Sequence, residues 1–222
     1  MSISIIVPTY NRRNFSKILS LNIRSQNYPL IKEILVGDDG DDNERLELDV
    51  PYTVLYYRVP RMSIGEKRNF LISKCSGEYI ANMDTDDFYS PTYLSKSIFN
   101  LIKSAKSVSG SSDMLLMDIT TKKVYRQRCI YLHMLNEATL VFKRSFGNIH
   151  MFSKSNSAEG IAFLEKSLND IYETPIDDIM LCLAHEKNTV AKSVWCIPKY
   201  ETTINMDKYS QHLIFSNDIV YG

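Results

Sequence analysis

The chain has 222 residues, 44% hydrophobic and 23% charged, the balance of an ordinary globular protein long enough to bury a sizeable core. Its 26 basic and 26 acidic residues cancel, which excludes a broad polyanion-binding surface and, with it, a nucleic-acid partner. No run approaches the roughly 18 apolar residues of a membrane span, and Met1-Ser2-Ile3 opens no basic leader, so the expectation is a cytoplasmic chain without a transmembrane segment. Cys75, Cys129, Cys182 and Cys196 show no C-x-x-C spacing and read as free thiols in a reducing compartment.

In chain order, Ile3 to Pro8 is an apolar strand, and Arg13 to Gln26 carries Phe15, Ile18, Leu19 and Ile23 at helical spacing. Glu33 to Gly37 is a second strand ending at Asp38-Asp39-Gly40, and Tyr52 to Arg58, rich in aromatic and β-branched residues, is a third. Ser63 to Lys74 reads as a helix opened by a capping box, Ser63 with Glu66 three residues on. A strand at 78–83 precedes a helix from about Pro91 to Ala105, with proline in its first turn. Strands alternating with helices imply a mostly parallel central sheet flanked by helices.

The second half is less regular. Ser107 to Gly110, Asp113 to Ile119, Lys123 to Arg128 and Thr139 to Lys143 read as short strands of a small antiparallel extension. Met180 to Ala184 is a continuous apolar run, a buried strand with a helix as the alternative, and residues 203–217 form an expected terminal helix. With no repeat and no linker, the expectation is a single α/β domain over 1–222.

The chemistry concentrates at Asp84-Thr85-Asp86-Asp87, directly after a strand. Carboxylates that close repel one another, so a cation belongs among them, and Asp-x-Asp suits a hard divalent ion with its phosphates. The competing reading is a solvated acidic turn. In open α/β sheets ligands bind beyond the C-terminal strand ends, and three such ends here are polar: Pro8-Thr9-Tyr10-Asn11-Arg12, Asp38-Asp39-Gly40 and 84–87. Asp39 suits a base N–H or a ribose hydroxyl, or equally an Asx-turn. Arg12, Lys67 and Arg68 supply cationic donors; Lys67-Arg68 alone is also what a solvated helix face looks like, while beside a metal Arg68 suits a phosphate or pyrimidine oxygen. His185 closes the apolar run 180–184 and is either a metal ligand or a satisfied structural residue; His133, His150 and His212 have no comparable context.

Together, Pro8-Thr9-Tyr10-Asn11-Arg12, Asp38-Asp39-Gly40, Gly65-Glu66-Lys67-Arg68-Asn69 and Gly77-Glu78-Tyr79-Ile80 leading into Met83-Asp84-Thr85-Asp86-Asp87 resemble the family 2 glycosyltransferases of GT-A fold over roughly the first 95 residues. Asn136 to Arg144 is more loosely similar to small glycosyltransferase domains of large DNA viruses, which would place the chain in host cytoplasm. The resemblance implies a nucleotide-sugar-binding half at about 1–105 and an acceptor-side half at about 106–222. It implies Mn²⁺ or Mg²⁺ on Asp86, with His185 as a further ligand, and Asp84 near the ribose or a metal-bound water. Asp39 falls on the uracil, Thr9 and Arg12 line the nucleotide site, and Lys67 and Arg68 meet the diphosphate. The base falls on Glu159 of Ser157-Ala158-Glu159-Gly160, where glycine replaces the usual aspartate, with Asp177-Asp178 as the rival pair and helix-dipole charge as that pair's plain reading.

The expected function is metal-dependent, inverting transfer from a UDP-sugar (UDP-glucose by default, UDP-rhamnose or UDP-galactose otherwise) to a glycan or other hydroxyl acceptor. The alternatives are a non-catalytic nucleotide-sugar-binding module and a haloacid-dehalogenase-like phosphatase using Asp84 as nucleophile. A nucleotidyltransferase is disfavoured because Pro8 to Arg12 contains no glycine.

Overall fold

The computed structural model describes residues 1–128 and 131–214; Cys129 and the 215–217 end of the expected terminal helix lie outside the described residues. The chain runs β1 (Ile3–Thr9), α1 (Ser16–Arg24), β2 (Ile31–Asp38), β3 (Val54–Arg58), α2 (Ile64–Lys74), β4 (Tyr79–Asn82), β5 (Phe88–Tyr89) and α3 (Tyr93–Ser104). It continues through β6 (Val108–Gly110), β7 (Asp113–Asp118), β8 (Val124–Arg128), β9 (Val141–Lys143), α4 (Arg144–Gly147) and α5 (Gly160–Leu164). β10 (Ile171–Glu173), β11 (Met180–Ala184) and β12 (Glu201–Thr202) complete it, with short 3-10 turns between.

Seven strands form the main sheet in the order β10-β6-β9-β4-β1-β2-β3, and only β9 runs against the rest. β1 lies inside, and a strand buried on both faces is a near-continuous apolar run whose alternate residues feed opposite cores. Ile3, Ile5 and Val7 join Phe15, Ile18 and Leu19 around α1; Ile6 joins Leu35, Leu71, Ile72 and Phe142 on the α2 side. Ser4, buried among them, donates to Glu33 Oε1 at 2.6 Å, so its hydroxyl is satisfied rather than stranded. Ser63 caps α2 as the sequence predicts: the Glu66 N–H reaches its Oγ at 3.3 Å and its own N–H reaches Glu66 Oε2 at 3.1 Å.

A second sheet has the order β12-β8-β7-β11-β5. It is the expected extension, but mixed rather than wholly antiparallel, because β11 lies parallel to β7. Met180–Ala184 is indeed a buried strand. β5 has no sequence signature, since two residues cannot show alternation, yet it positions the site. It leaves the acidic tip directly and pairs Phe88 with Leu181 and Tyr89 with Met180, so the end of β11 meets residues 84–87. α3 begins at Tyr93 with Thr92 as N-cap, leaving Pro91 ahead of the helix instead of in its first turn. Of the terminal helix, a 3-10 turn at Asp207–Tyr209 and helical residues 210–214 are present. No helix among the described residues is long and apolar enough to cross a membrane, and Cys75, Cys182 and Cys196 are free thiols.

Candidate active site

The C-terminal ends of β1 and β4, the start of α2 and the segments after β11 surround a pocket of about 640 Å³, within the range of small-molecule sites. Thr9, Arg12, Lys67, Arg68, Asp84, Asp86 and Glu159, drawn from both halves of the chain, all line it.

At the acidic tip the three carboxylates differ. Asp86 Oδ2 lies 3.1 Å from His185 Nε2, 3.3 Å from Asn188 Nδ2 and 3.7 Å from Arg12 Nη2. Burial opposes the charge on Asp86, but the His185 hydrogen bond and the Lys192 and Arg12 charges outweigh it, holding this carboxyl well below the usual range. Asp87 is fully buried, accepts the Leu183 N–H at 2.8 Å and pairs with Lys192 Nζ at 2.8 and 3.1 Å. Burial pushes Asp87 up to about 6 against the pull of Lys192, with Asp86 and Asp84 adding to the rise. It ties β11 to the tip and is structural. Asp84, the most open of the three, accepts from Arg68 Nη2 at 3.1 Å.

Among the described residues no three Asp, Glu, His or Cys side chains form a complete metal cage. Asp86 and His185 nevertheless converge, and ions such as Mg²⁺ are commonly held by one or two protein ligands with substrate phosphates and water completing the shell. His185 Nδ1 is buried without a hydrogen-bond partner, so whatever meets Nε2 decides which nitrogen carries the proton. The pair fits a divalent cation completed by phosphate oxygens.

Lys67 and Arg68, adjacent on α2, do different work. Lys67 Nζ reaches Asp39 Oδ1 at 2.5 Å and the Thr9 carbonyl at 2.9 Å, binding the ends of β1 and β2 together. Burial lowers its affinity for a proton although Asp39 opposes this. Asp39 also accepts from Met62 N–H at 3.0 Å and pairs with Arg61 at 3.2 Å; it is sealed beneath these groups, outside the pocket lining. Arg68 is buried and donates through Nε to Glu159 Oε1 at 3.2 Å while Nη2 holds Asp84; its Nη1 has no hydrogen-bond partner. The guanidinium therefore joins the acidic tip to the loop that carries Glu159, with Nη1 left without a partner.

That loop is docked by α2. Gly65 N–H donates to the Ser155 carbonyl at 3.1 Å, and Asn69 exchanges hydrogen bonds with the Phe152 main chain at 2.9 Å each way. A Cβ on Gly65 would sit 1.9 Å from the Ser153 carbonyl oxygen, so only glycine permits this approach. Asp177 is drawn instead to Arg126, at 2.8 and 2.7 Å, and neither Asp177 nor Asp178 lines the pocket.

Residues 4–159 match glycosyl transferase family 2. The chain belongs to that family. Among its relatives, an uncharacterized glycosyltransferase of Rickettsia conorii is 33% identical over 92 residues, 40% of this chain and 15% of that protein. The poly(ribitol-phosphate) beta-N-acetylglucosaminyltransferase TarS of Staphylococcus aureus (strain Mu50) is 28% identical over 95 residues, covering 40% of this chain and 17% of TarS. The chain thus spans only about a sixth of these relatives. In fold it is similar to S. aureus TarS 1–349, with TM-score 0.65 and 16% identity over 83% of this chain and 61% of that one. A mannosyltransferase from Pyrobaculum calidifontis, in complex with GDP-Man and Mn²⁺, gives TM-score 0.64 and 14% identity over 99% of this chain and 64% of that one. The fold is GT-A, which removes the phosphatase reading.

For a family 2 chain, several pocket groups had no signal in the sequence. Lys192 and Asn188 belong to a polar stretch with no motif, and only the β5–β11 pairing brings them to the tip. Outside the pocket lining, Arg61, stacked 3.6 Å over the ring of the pocket residue Tyr10 and paired with Asp39, is likewise one of several surface-like arginines in the sequence. Glu137 lines the pocket beside Glu159; burial, with the Glu159 charge, pushes its carboxyl up to about 7.

Proposed function

We propose that this chain is a nucleotide-sugar-dependent glycosyltransferase, using Mn²⁺ or Mg²⁺ to transfer a sugar from a UDP-sugar, UDP-glucose being the first donor to test, to the hydroxyl of a glycan or other acceptor with inversion. The observation that carries it is the convergence of Asp86 and His185, 99 residues apart in sequence, to 3.1 Å, with Asp86 lining a pocket that also holds Arg68 and the carboxylates Glu137 and Glu159, while His185 stands behind that lining. TarS 1–349 in complex with UDP-GlcNAc, and the mannosyltransferase with GDP-Man and Mn²⁺, support the donor class and the cation. The narrower likeness of Asn136 to Arg144 to viral domains, with a host-cytoplasm location, extends the same reading.

In this mechanism Asp86 and His185 hold the cation, which when bound offsets the charge of the departing diphosphate. Thr9 and Arg12 line the nucleotide side, Asp84 faces the ribose, and Asp39, held by Lys67, Arg61 and the Met62 N–H behind the pocket lining, is the group assigned to the base. Arg68 meets the diphosphate through Nη1, Lys67 supports it from beneath by fixing the ends of β1 and β2, and a carboxylate of the Glu137–Glu159 pair takes the acceptor proton.

Thermal unfolding with Mn²⁺ and a panel of UDP, UDP-glucose, UDP-GlcNAc and GDP-Man tests the donor class. A ligand at a hundred times its Kd stabilises by about 2.7 kcal/mol, or roughly 5–10 °C for a chain of this size. Asp86→Ala should abolish both the Mn²⁺-dependent shift and nucleotide release; normal release by that variant would sink the metal assignment. Gly160 in place of the aspartate favours one second reading, a non-catalytic binding module, which predicts Mn²⁺-dependent UDP binding with no turnover on any donor.

A further inference from the structure

Gly160 leaves a space, and Glu137 fills it. A Cβ built on Gly160 would lie 2.8 Å from Glu137 Cγ and 2.9 Å from its Oε1, closer than real Cβ contacts come. The Gly160 N–H donates to that same Oε1 at 2.9 Å. The main chain at 160 therefore holds a carboxylate that comes from another segment, at the spot where a side chain of its own would stand.

The delivery of Glu137 is rigid. It opens the 3-10 turn Glu137–Thr139 just before β9, whose N-cap Asn136 accepts the Ala138 N–H at 3.1 Å. The Glu137 carbonyl accepts from Asn82 Nδ2 at 2.6 Å, and the Ala138 carbonyl accepts from the Tyr89 hydroxyl at 3.0 Å. Asn82 and Tyr89 flank the acidic tip, so the carboxylate is fixed to the frame that carries Asp84 and Asp86. Glu159 is placed differently: its Oε1 is committed to Arg68 Nε at 3.2 Å, and Arg68 in turn holds Asp84.

We propose that Glu137, and not Glu159, is the general base of the transfer, with Glu159 a positioning residue that acts through Arg68. The proposal rests on the glycosyl-transfer reading. In the step, the acceptor oxygen bonds to the anomeric carbon while its proton passes to the Glu137 carboxylate. The bond from that carbon to the β-phosphate oxygen breaks, and its electron pair leaves with the nucleoside diphosphate. A carboxyl lifted to about 7 by burial and by the neighbouring Glu159 charge is matched to taking a proton near neutrality.

The test uses the full chain with Mn²⁺, following nucleotide release from UDP-glucose, UDP-GlcNAc and GDP-Man with water as acceptor, beside calorimetry of Mn²⁺-dependent UDP binding. Glu137→Gln should lose about 10²–10⁴ in turnover, the usual worth of a general base, keep wild-type UDP affinity, and lose the acid limb of the pH–rate profile. Glu159→Gln should keep that limb. The pair Glu137→Ala with Gly160→Asp, which clears the space and then refills it from position 160, should recover at least tenfold over Glu137→Ala alone. Turnover by Glu137→Gln within threefold of wild type, or no recovery in the paired variant, would overturn the assignment of the base. A wild-type chain that neither binds UDP nor releases nucleotide from any donor would overturn the transfer reading itself, and this proposal with it.

Discussion

Lys67→Met isolates the strut between the ends of β1 and β2. Lys67 and Asp39 are both buried, their atoms are 2.5 Å apart, and the variant removes the ammonium while keeping most of the side chain's volume. Deleting one partner of a buried ion pair costs about 3–5 kcal/mol, because the other charge is left uncompensated. Arg61, 3.2 Å from the same carboxylate but 61% exposed, remains as a partly screened substitute, which places the expected cost at the low end, about 3 kcal/mol. For a chain of this length that is a fall of roughly 6–12 °C in Tm. Urea unfolding gives the free energy directly. Adding Asp39→Asn removes the stranded charge, so the double variant should recover most of the loss even though it has one hydrogen bond fewer. A cost below about 1 kcal/mol for Lys67→Met, or a double variant no better than the single, would show that the pair is solvated and would refute the strut.

Two further outcomes follow from the same geometry. Gly65→Ala places a methyl group 1.9 Å from the Ser153 carbonyl; it should cost about 1–3 kcal/mol as an overpacked contact and lower nucleotide release by shifting Glu159, so wild-type Tm and turnover together would contradict it. Glu137 is raised from 4.5 to about 7 on folding, so its contribution to stability is present below about 4.5 and lost as pH rises through about 7. Glu137→Gln should accordingly flatten the decline in stability between those pH values in a urea series, and parallel curves for the two proteins would contradict the shift.

The first half of the chain was legible because its signals are local. The apolar run Ile3 to Val7 must be interior whichever strands flank it, Ser63 and Glu66 cap α2 through contacts three residues apart, and Asp84 to Asp87 mark the acidic strand end by their composition alone. The second half depends on contacts that no spacing encodes. Asp86 and His185 meet across 99 residues through a two-residue strand, and Lys192 reaches Asp87 across 105. Lys67 and Arg68 show the converse limit: their charge and helical position were readable, but two neighbouring cations on one helix look alike until their partners, Asp39 for one and Asp84 with Glu159 for the other, are known.

Those partners also set the charge balance of the pocket. Asp84, Asp86, Asp87, Glu137 and Glu159 line it, while Lys67 and Arg128, which line it too, are paired with Asp39 and Asp113. That leaves Arg12, Arg68 and Lys192 against the five carboxyls, and protonating Glu137 still leaves an excess of one negative charge. On the proposed reading, a diphosphate entering alone would meet net repulsion, and a divalent ion held by Asp86 and His185 would reverse the sign of the site where the phosphates are proposed to bind. The raised proton affinity of Glu137 has a more local origin, burial first and the Glu159 charge second, and it keeps a proton acceptor near neutrality in the same pocket.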